Sequence, residues 1–181
     1  MAVRFPAGIR ERIARATQVL RALEGVRPVR VEQLHLTLRF IGEVDGRLEA
    51  RLAREIAAAT AEAPRFDLTV RSAGVFPSLR RARVIWAGVD EDAALTALQA
   101  RVEAAVVRAG VAPEPRPFRP HVTVGRIRGA APPRGLADEI SRVRLEAAVA
   151  VHEVFLMRSK LLPRGARHAE VASCPLGVAG T

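Results

Sequence analysis

A four-residue pattern occurs twice in this chain, as His35-Leu36-Thr37-Leu38 and as His121-Val122-Thr123-Val124, 86 positions apart. Each copy alternates polar and apolar residues, the period-two pattern of a strand with one buried face. His and Thr then project from one side of the strand while Leu or Val projects from the other. A fold that buries the apolar residues of both copies and uses the polar ones together must bring strands from distant halves of the chain to one groove. Few architectures do this, and the surrounding sequence narrows them further.

The two motifs sit at equivalent places in a repeated order of elements. Ile9, Ile13, Ala16, Leu20 and Leu23 recur at helical steps and predict one amphipathic helix closed by Gly25. Leu34 to Ile41 reads as a strand, Gly46 to Ala63 as a helix stopped by Pro64, and Phe66–Val70 and Val84–Val89 as strands. Asp92 to Ala109 is again helical, with acidic residues at its start. A proline-rich connection leads to the strand His121–Ile127, followed by a short helix at Leu136–Val143 and strands within Leu145–Met157 and His168–Ala172. The expected class is α+β, with two similar lobes in one unit spanning residues 1–181. No tandem period of 20 to 50 residues is present, which excludes a solenoid.

Composition bears on the partner. Lys and Arg number 29 against 19 Asp and Glu, a net charge of +10 shared by both halves of the chain. A polyanionic ligand fits this excess. A coding bias fits it equally, because 28 of the 29 basic residues are arginine. There is no apolar run of about 18 residues, and Arg4 interrupts the N-terminus before any signal-like segment develops. A single cysteine, Cys174, cannot form an internal disulfide. These features predict a cytoplasmic protein with no membrane span, no cofactor and no obligate protein partner.

Two imidazoles and two hydroxyls in one groove suit displacement at phosphorus. One histidine takes a proton from the nucleophile and the other gives one to the leaving oxygen, tasks matched to an unperturbed pKa of about 6.5. The threonine hydroxyls can donate to the non-bridging oxygens. No metal is expected, because two histidines lack further ligands and neither motif contains Asp, Glu or Cys. Arg39 shares the parity of His35 and Thr37 and is expected in the same groove. Arg126 has the opposite parity to His121 and reaches the groove only if the strand is irregular at Gly125. Arg80, Arg81, Arg83, Arg116 and Arg119 flank the strands. Trp86 is read as core, His152 and His168 as structural or exposed, and Cys174 as inert.

These residues resemble the RNA 2′,3′-cyclic phosphodiesterases, also called 2′-5′ RNA ligases, of the two-histidine phosphoesterase superfamily. The likeness rests on LHLTLRFIGEV at 34–44, GVF at 74–76, RVIWAGV at 83–89, RPFRPHVTVGR at 116–126 and VHEVFLMRSKL near the end. It implies a bilobal fold whose lobes each carry an antiparallel sheet with outer helices, with the active-site cleft between them. It implies hydrolysis of RNA-terminal 2′,3′-cyclic phosphate to 2′-phosphate without metal or ATP, with His121 as general base and His35 as general acid. Thr37, Thr123 and Arg126 then contact phosphate, and the reverse reaction with a 5′-hydroxyl gives a 2′-5′ bond. Only AVRF precedes Pro6 where the family begins with a longer apolar strand, and His168 stands where an aromatic residue is usual. Small cyclic nucleotides, a cyclic phosphate of ADP-ribose, and RNA binding without turnover are the competing readings.

Overall fold

Element boundaries follow the punctuation of the sequence. The computed structural model describes residues 1–129, 131–162 and 165–177. The first strand, β1 (Ala2–Arg4), ends before Pro6, and α1 (Ala7–Ala16) starts directly after it. The single helix expected over 9–23 is divided at Thr17 into α1 and α2 (Gln18–Ala22). Thr17 is fully buried and its hydroxyl donates to the Ile13 carbonyl at 2.8 Å, a bond that competes with the helical ladder. Then come β2 (Val26–Pro28), β3 (His35–Thr37) and α3 (Gly46–Ala61), with Asp45 capping α3 by accepting from the Leu48 amide at 2.8 Å.

Strand β4 (Phe66–Phe76) runs six residues past its expected end, through a register shift at Arg71/Ala73 where Ser72 has φ 58°. Strand β5 (Val84–Val89) keeps its expected bounds. Helix α4 (Ala93–Arg108) begins at Asp92, whose carboxylate accepts from the amides of Ala94 and Leu95, the cap its acidic start implied. Strand β6 (His121–Ile127), α5 (Leu136–Arg142), β7 (Glu146–Val151), β8 (Glu153–Leu162) and β9 (Gly165–Pro175) complete the order. The expected strand over 145–157 is broken at the exposed His152.

All strand pairings are antiparallel and form one curled sheet in the order β7-β4-β5-β6-β3-β1-β8-β9, with β2 against the far end of β6. Helices α3 and α4 pack together over the β3-β1-β8-β9 side, and α1, α2 and α5 over the β4-β5-β6-β7 side. Two lobes result, each with outer helices, whose sheets are continuous where β3 meets β6. Leu36 and Val122, Val3, Ile85 and Val124 lie on the helix-covered side of the sheet with almost no exposure. The polar residues of the same strands are left on the opposite, concave side. No helix among the described residues is long and apolar enough to cross a membrane.

Candidate active site

Strands β3 and β6 pair at Leu36 and Val122. Continuing that antiparallel register puts His35 across from Thr123 and Thr37 across from His121, all four on the face away from the core. All four are half-buried, while Leu36 and Val122 are fully buried. The two motifs expected to converge are therefore joined side by side, as the internal repeat required.

Each imidazole is fixed in the same way. The Nδ1 of His35 lies 2.6 Å from the carbonyl of Gln33, and the Nδ1 of His121 lies 2.7 Å from the carbonyl of Arg119. A carbonyl oxygen only accepts, so each Nδ1 carries the proton and donates it. Nε2 is left as the nitrogen that gains or loses a proton. Burial is the first cause that lowers the pKa of His35, to about 4, and the charges of His168, the Met1 amino group and His121 act in the same direction. Burial likewise lowers His121, with Arg126 adding to the effect, while the hydrogen bond to Arg119 opposes it.

Strand β6 carries the irregularity that Arg126 needed. Against β5, Arg126 pairs with Val84 and Gly125 with Ile85, but the next pair is Thr123 with Trp86, so Val124 is an extra residue. The bulge reverses the parity and turns Arg126 to the cleft side with His121 and Thr123. Gly125 also lets β2 pass closely, since a Cβ there would lie 2.9 Å from Val26 Cγ1. Arg126 lines a cleft of about 1570 Å³ together with His35, Thr37, Thr123, His168, Arg27 and Arg30.

Arg39 lines the same cleft, as its parity predicted, but its side chain is committed to partners within the protein. Strand β3 ends at Thr37, because the amides of Leu38 and Arg39 both turn to the carbonyl of Met1. The Arg39 side chain is 7% exposed. Its guanidinium lies 2.7 Å from Glu103 and 3.1 Å from Glu114, and donates to the carbonyls of Phe40 and Ala112. It clamps the segment after β3 to α4 and the loop that follows α4. Arg116 is similarly held by Glu114 at 2.7 Å.

Other groups join the site that strand alternation alone did not reveal. Phe76 meets the His121 ring edge to face, with centroids 4.9 Å apart and planes at 83°. Trp86 is corrected from core to the cleft face, since it pairs with Thr123 across β5 and β6, and its ring packs on Phe76 at 5.3 Å. Gly74, opposite Trp86 on β4, leaves room for the indole. His168, read as structural or exposed, packs edge to face on His35 at 4.9 Å and 72° and shares a 2.7 Å hydrogen bond with Ser159. The GVF segment at 74–76 was a signal for Phe76; for His168 the signal was its place where the family usually has an aromatic residue, and its contact with His35 depends on the β8–β9 register. Cys174 is buried, which raises its thiol pKa and agrees with an inert role. Among the described residues, no three His, Cys, Asp or Glu are grouped to hold a metal ion.

Comparison with known proteins gives a consistent picture. Residues 5–161 match the sequence model of the 2′-5′ RNA ligase superfamily. An RNA 2′,3′-cyclic phosphodiesterase of Methanothermobacter thermautotrophicus is 35% identical over 170 residues, covering 91% of each chain. The protein of that name from Escherichia coli is 36% identical over 126 residues, 69% of each chain. The crystal structure of a protein of Thermus thermophilus superposes with a TM-score of 0.83 at 26% identity, covering 97% of this chain and 95% of that one. Escherichia coli LigT complexed with 3′-AMP superposes with a TM-score of 0.77 at 30% identity and the same coverage.

Proposed function

The chain belongs to the 2′-5′ RNA ligase superfamily, and we propose that it hydrolyses the terminal 2′,3′-cyclic phosphate of RNA to a 2′-phosphate, without metal or ATP. The observation that carries this reading is the pair of histidines held through Nδ1 on adjoining strands, each with Nε2 as its titrating nitrogen. His121 Nε2 takes a proton from water as the water oxygen bonds to phosphorus. The bond from phosphorus to the 3′ oxygen breaks, and protonated His35 gives its Nε2 proton to that oxygen. Thr37 and Thr123 donate to the non-bridging oxygens, and Arg126 offsets their growing negative charge.

With a 5′-hydroxyl in place of water, the same displacement, breaking the same bond to the 3′ oxygen, forms a 2′-5′ phosphodiester. The cleft's Arg27, Arg30 and Arg126 supply positive charge along which an RNA end can lie. The cytoplasm is the compartment this reading assigns, where Cys174 stays reduced.

The test is incubation with an RNA oligonucleotide ending in a 2′,3′-cyclic phosphate in excess EDTA, separating 2′- from 3′-phosphate products. The wild-type protein should give the 2′-phosphate, and His35→Ala and His121→Ala should each lose at least about a hundredfold in rate. Activity that disappears with the chelator, or that survives either substitution, would refute the mechanism.

A further inference from the structure

The two histidines of the site share a second feature besides their carbonyl partners. Each meets one other ring edge to face at a centroid separation of 4.9 Å, His121 with Phe76 and His35 with His168. Phe76 carries no charge at any pH. His168 titrates, and its Nδ1 is held 2.7 Å from the Ser159 hydroxyl on the neighbouring strand β8. Nothing in the proposed reaction uses His168.

We propose that His168 is a positioning residue for His35: fixed by Ser159, its ring holds the His35 imidazole in place as Phe76 holds His121, and its charge governs how readily His35 takes up a proton. The inference rests on His35 acting as the acid. A neutral ring presents electron density that favours a nearby imidazolium, whereas a charged one repels it. The base thus has a constant neighbour and the acid a titratable one. Among the described residues, the other charged or titratable groups acting on this pair are His121 and Arg126 from β6 and the amino group of Met1. Glu32 and the Arg4–Glu170 ion pair, at 2.7 Å, line the small pocket beside them. Burial and the charges of Arg126 and the Met1 amino group lower the His168 pKa, which favours its neutral ring.

His168→Ala, His168→Phe and Ser159→Ala decide the matter, with kcat and KM measured on the cyclic-phosphate RNA and the His35 ring followed by NMR titration. His168→Ala should lower kcat on the order of tenfold to a hundredfold, the scale of a misplaced catalytic group, with KM changed less than about threefold. His168→Phe should recover most of that loss, and should move the His35 titration to higher pH by a few tenths of a unit. Ser159→Ala should give a smaller loss in kcat. A His35 titration that stays where it is in both His168 variants overturns the proposal, whatever the turnover. Because NMR needs no substrate, wild-type protein that fails to cleave the RNA refutes the proposed reaction and leaves the coupling of the two rings to be judged separately.

Discussion

His35 and His121 make the same hydrogen bond, each giving its Nδ1 proton to the carbonyl two residues earlier, Gln33 at 2.6 Å and Arg119 at 2.7 Å. A repeated sequence motif has become a repeated side-chain posture. What separates the two is their surroundings, and the proposed division into acid and base rests on those surroundings. His35 lies against His168 and near the charges of His121 and the Met1 amino group; His121 lies against Phe76 and near Arg126.

The pH dependence of turnover should reflect this. With a pKa of about 4 in the free protein, His35 loses its proton as pH rises through that value, and His121 becomes available as a base above its own lowered pKa. The profile of kcat/KM, which reports the free protein, should fall with rising pH across the neutral range. An anionic phosphate in the cleft raises the His35 pKa, so the alkaline limb of kcat should lie at higher pH than that of kcat/KM. Rates measured from pH 4 to 9 test this, and a kcat/KM that climbs above pH 7 would mean that His35 is not the acid.

Folding stability should respond to the same shift. Between about pH 6.5 and 4 the unfolded chain protonates His35 and the folded one does not, so acid favours unfolding. His121 and His168, also lowered, act in the same direction. Stability should be full above pH 6.5 and should fall by up to about 3 kcal/mol from His35 alone as pH drops to 4. Urea denaturation at pH 7.5 and 4.5 measures the drop. His35→Gln should reduce it, and an equal drop in that variant would remove His35 from the account.

Arg126 should matter for the ligand and little for the fold. Its side chain is exposed on the cleft face, beyond the bulge at Val124. Arg126→Ala should weaken binding of the phosphate end roughly tenfold to a hundredfold, the loss of one charge-assisted hydrogen bond. The melting temperature should stay near that of the wild type. Removing this positive charge should also raise the His121 pKa, visible in its NMR titration. An unchanged KM together with an unchanged His121 titration would exclude Arg126 from the site.

Local pattern foretold what local geometry decides. The facing of His35, Thr37, His121 and Thr123 follows from strand alternation and the need to bury Leu36 and Val122, and the bounds of β5 and β6 were legible for the same reason. Arg126 was legible only through the family resemblance, because its orientation depends on one extra residue in β6. Parity placed Arg39 at the cleft it lines, but could not show its ion pairs with Glu103 and Glu114, which join segments far apart in sequence. His168 was not legible as a neighbour of His35 at all, because that contact requires two strands more than a hundred residues apart to share one face. Such partners are set by tertiary register, which single-sequence periodicity does not contain.

The internal ion pairs of Arg39 carry their own prediction. Its guanidinium is nearly covered and sits between Glu103 and Glu114, each about one-fifth exposed. Arg39→Met should destabilise the fold by about 3 kcal/mol, because Glu103 loses its cation, Glu114 keeps only Arg116, and the carbonyls of Phe40 and Ala112 lose a donor. Denaturant titration measures the loss. If Arg39 instead touched phosphate, the variant would keep its stability and show a raised KM.

A single methyl group should test the aromatic support of His121. Gly74 stands opposite Trp86 on the neighbouring strand, and a Cβ added there would run into the indole ring. Because the glycine is held in the β4–β5 ladder opposite Trp86, the indole must shift. Trp86 packs on Phe76, and Phe76 on His121, so displacement is passed along three rings to the proposed base. Gly74→Ala should therefore cost about 1 to 3 kcal/mol of stability, the usual range for overpacking. It should also lower kcat more than it changes KM, since the imidazole is moved and not the groups that hold the phosphate. Pairing it with Trp86→Phe, which shortens the ring that the methyl meets, should restore part of both losses. A double variant no better than Gly74→Ala alone would show that the indole does not transmit the effect.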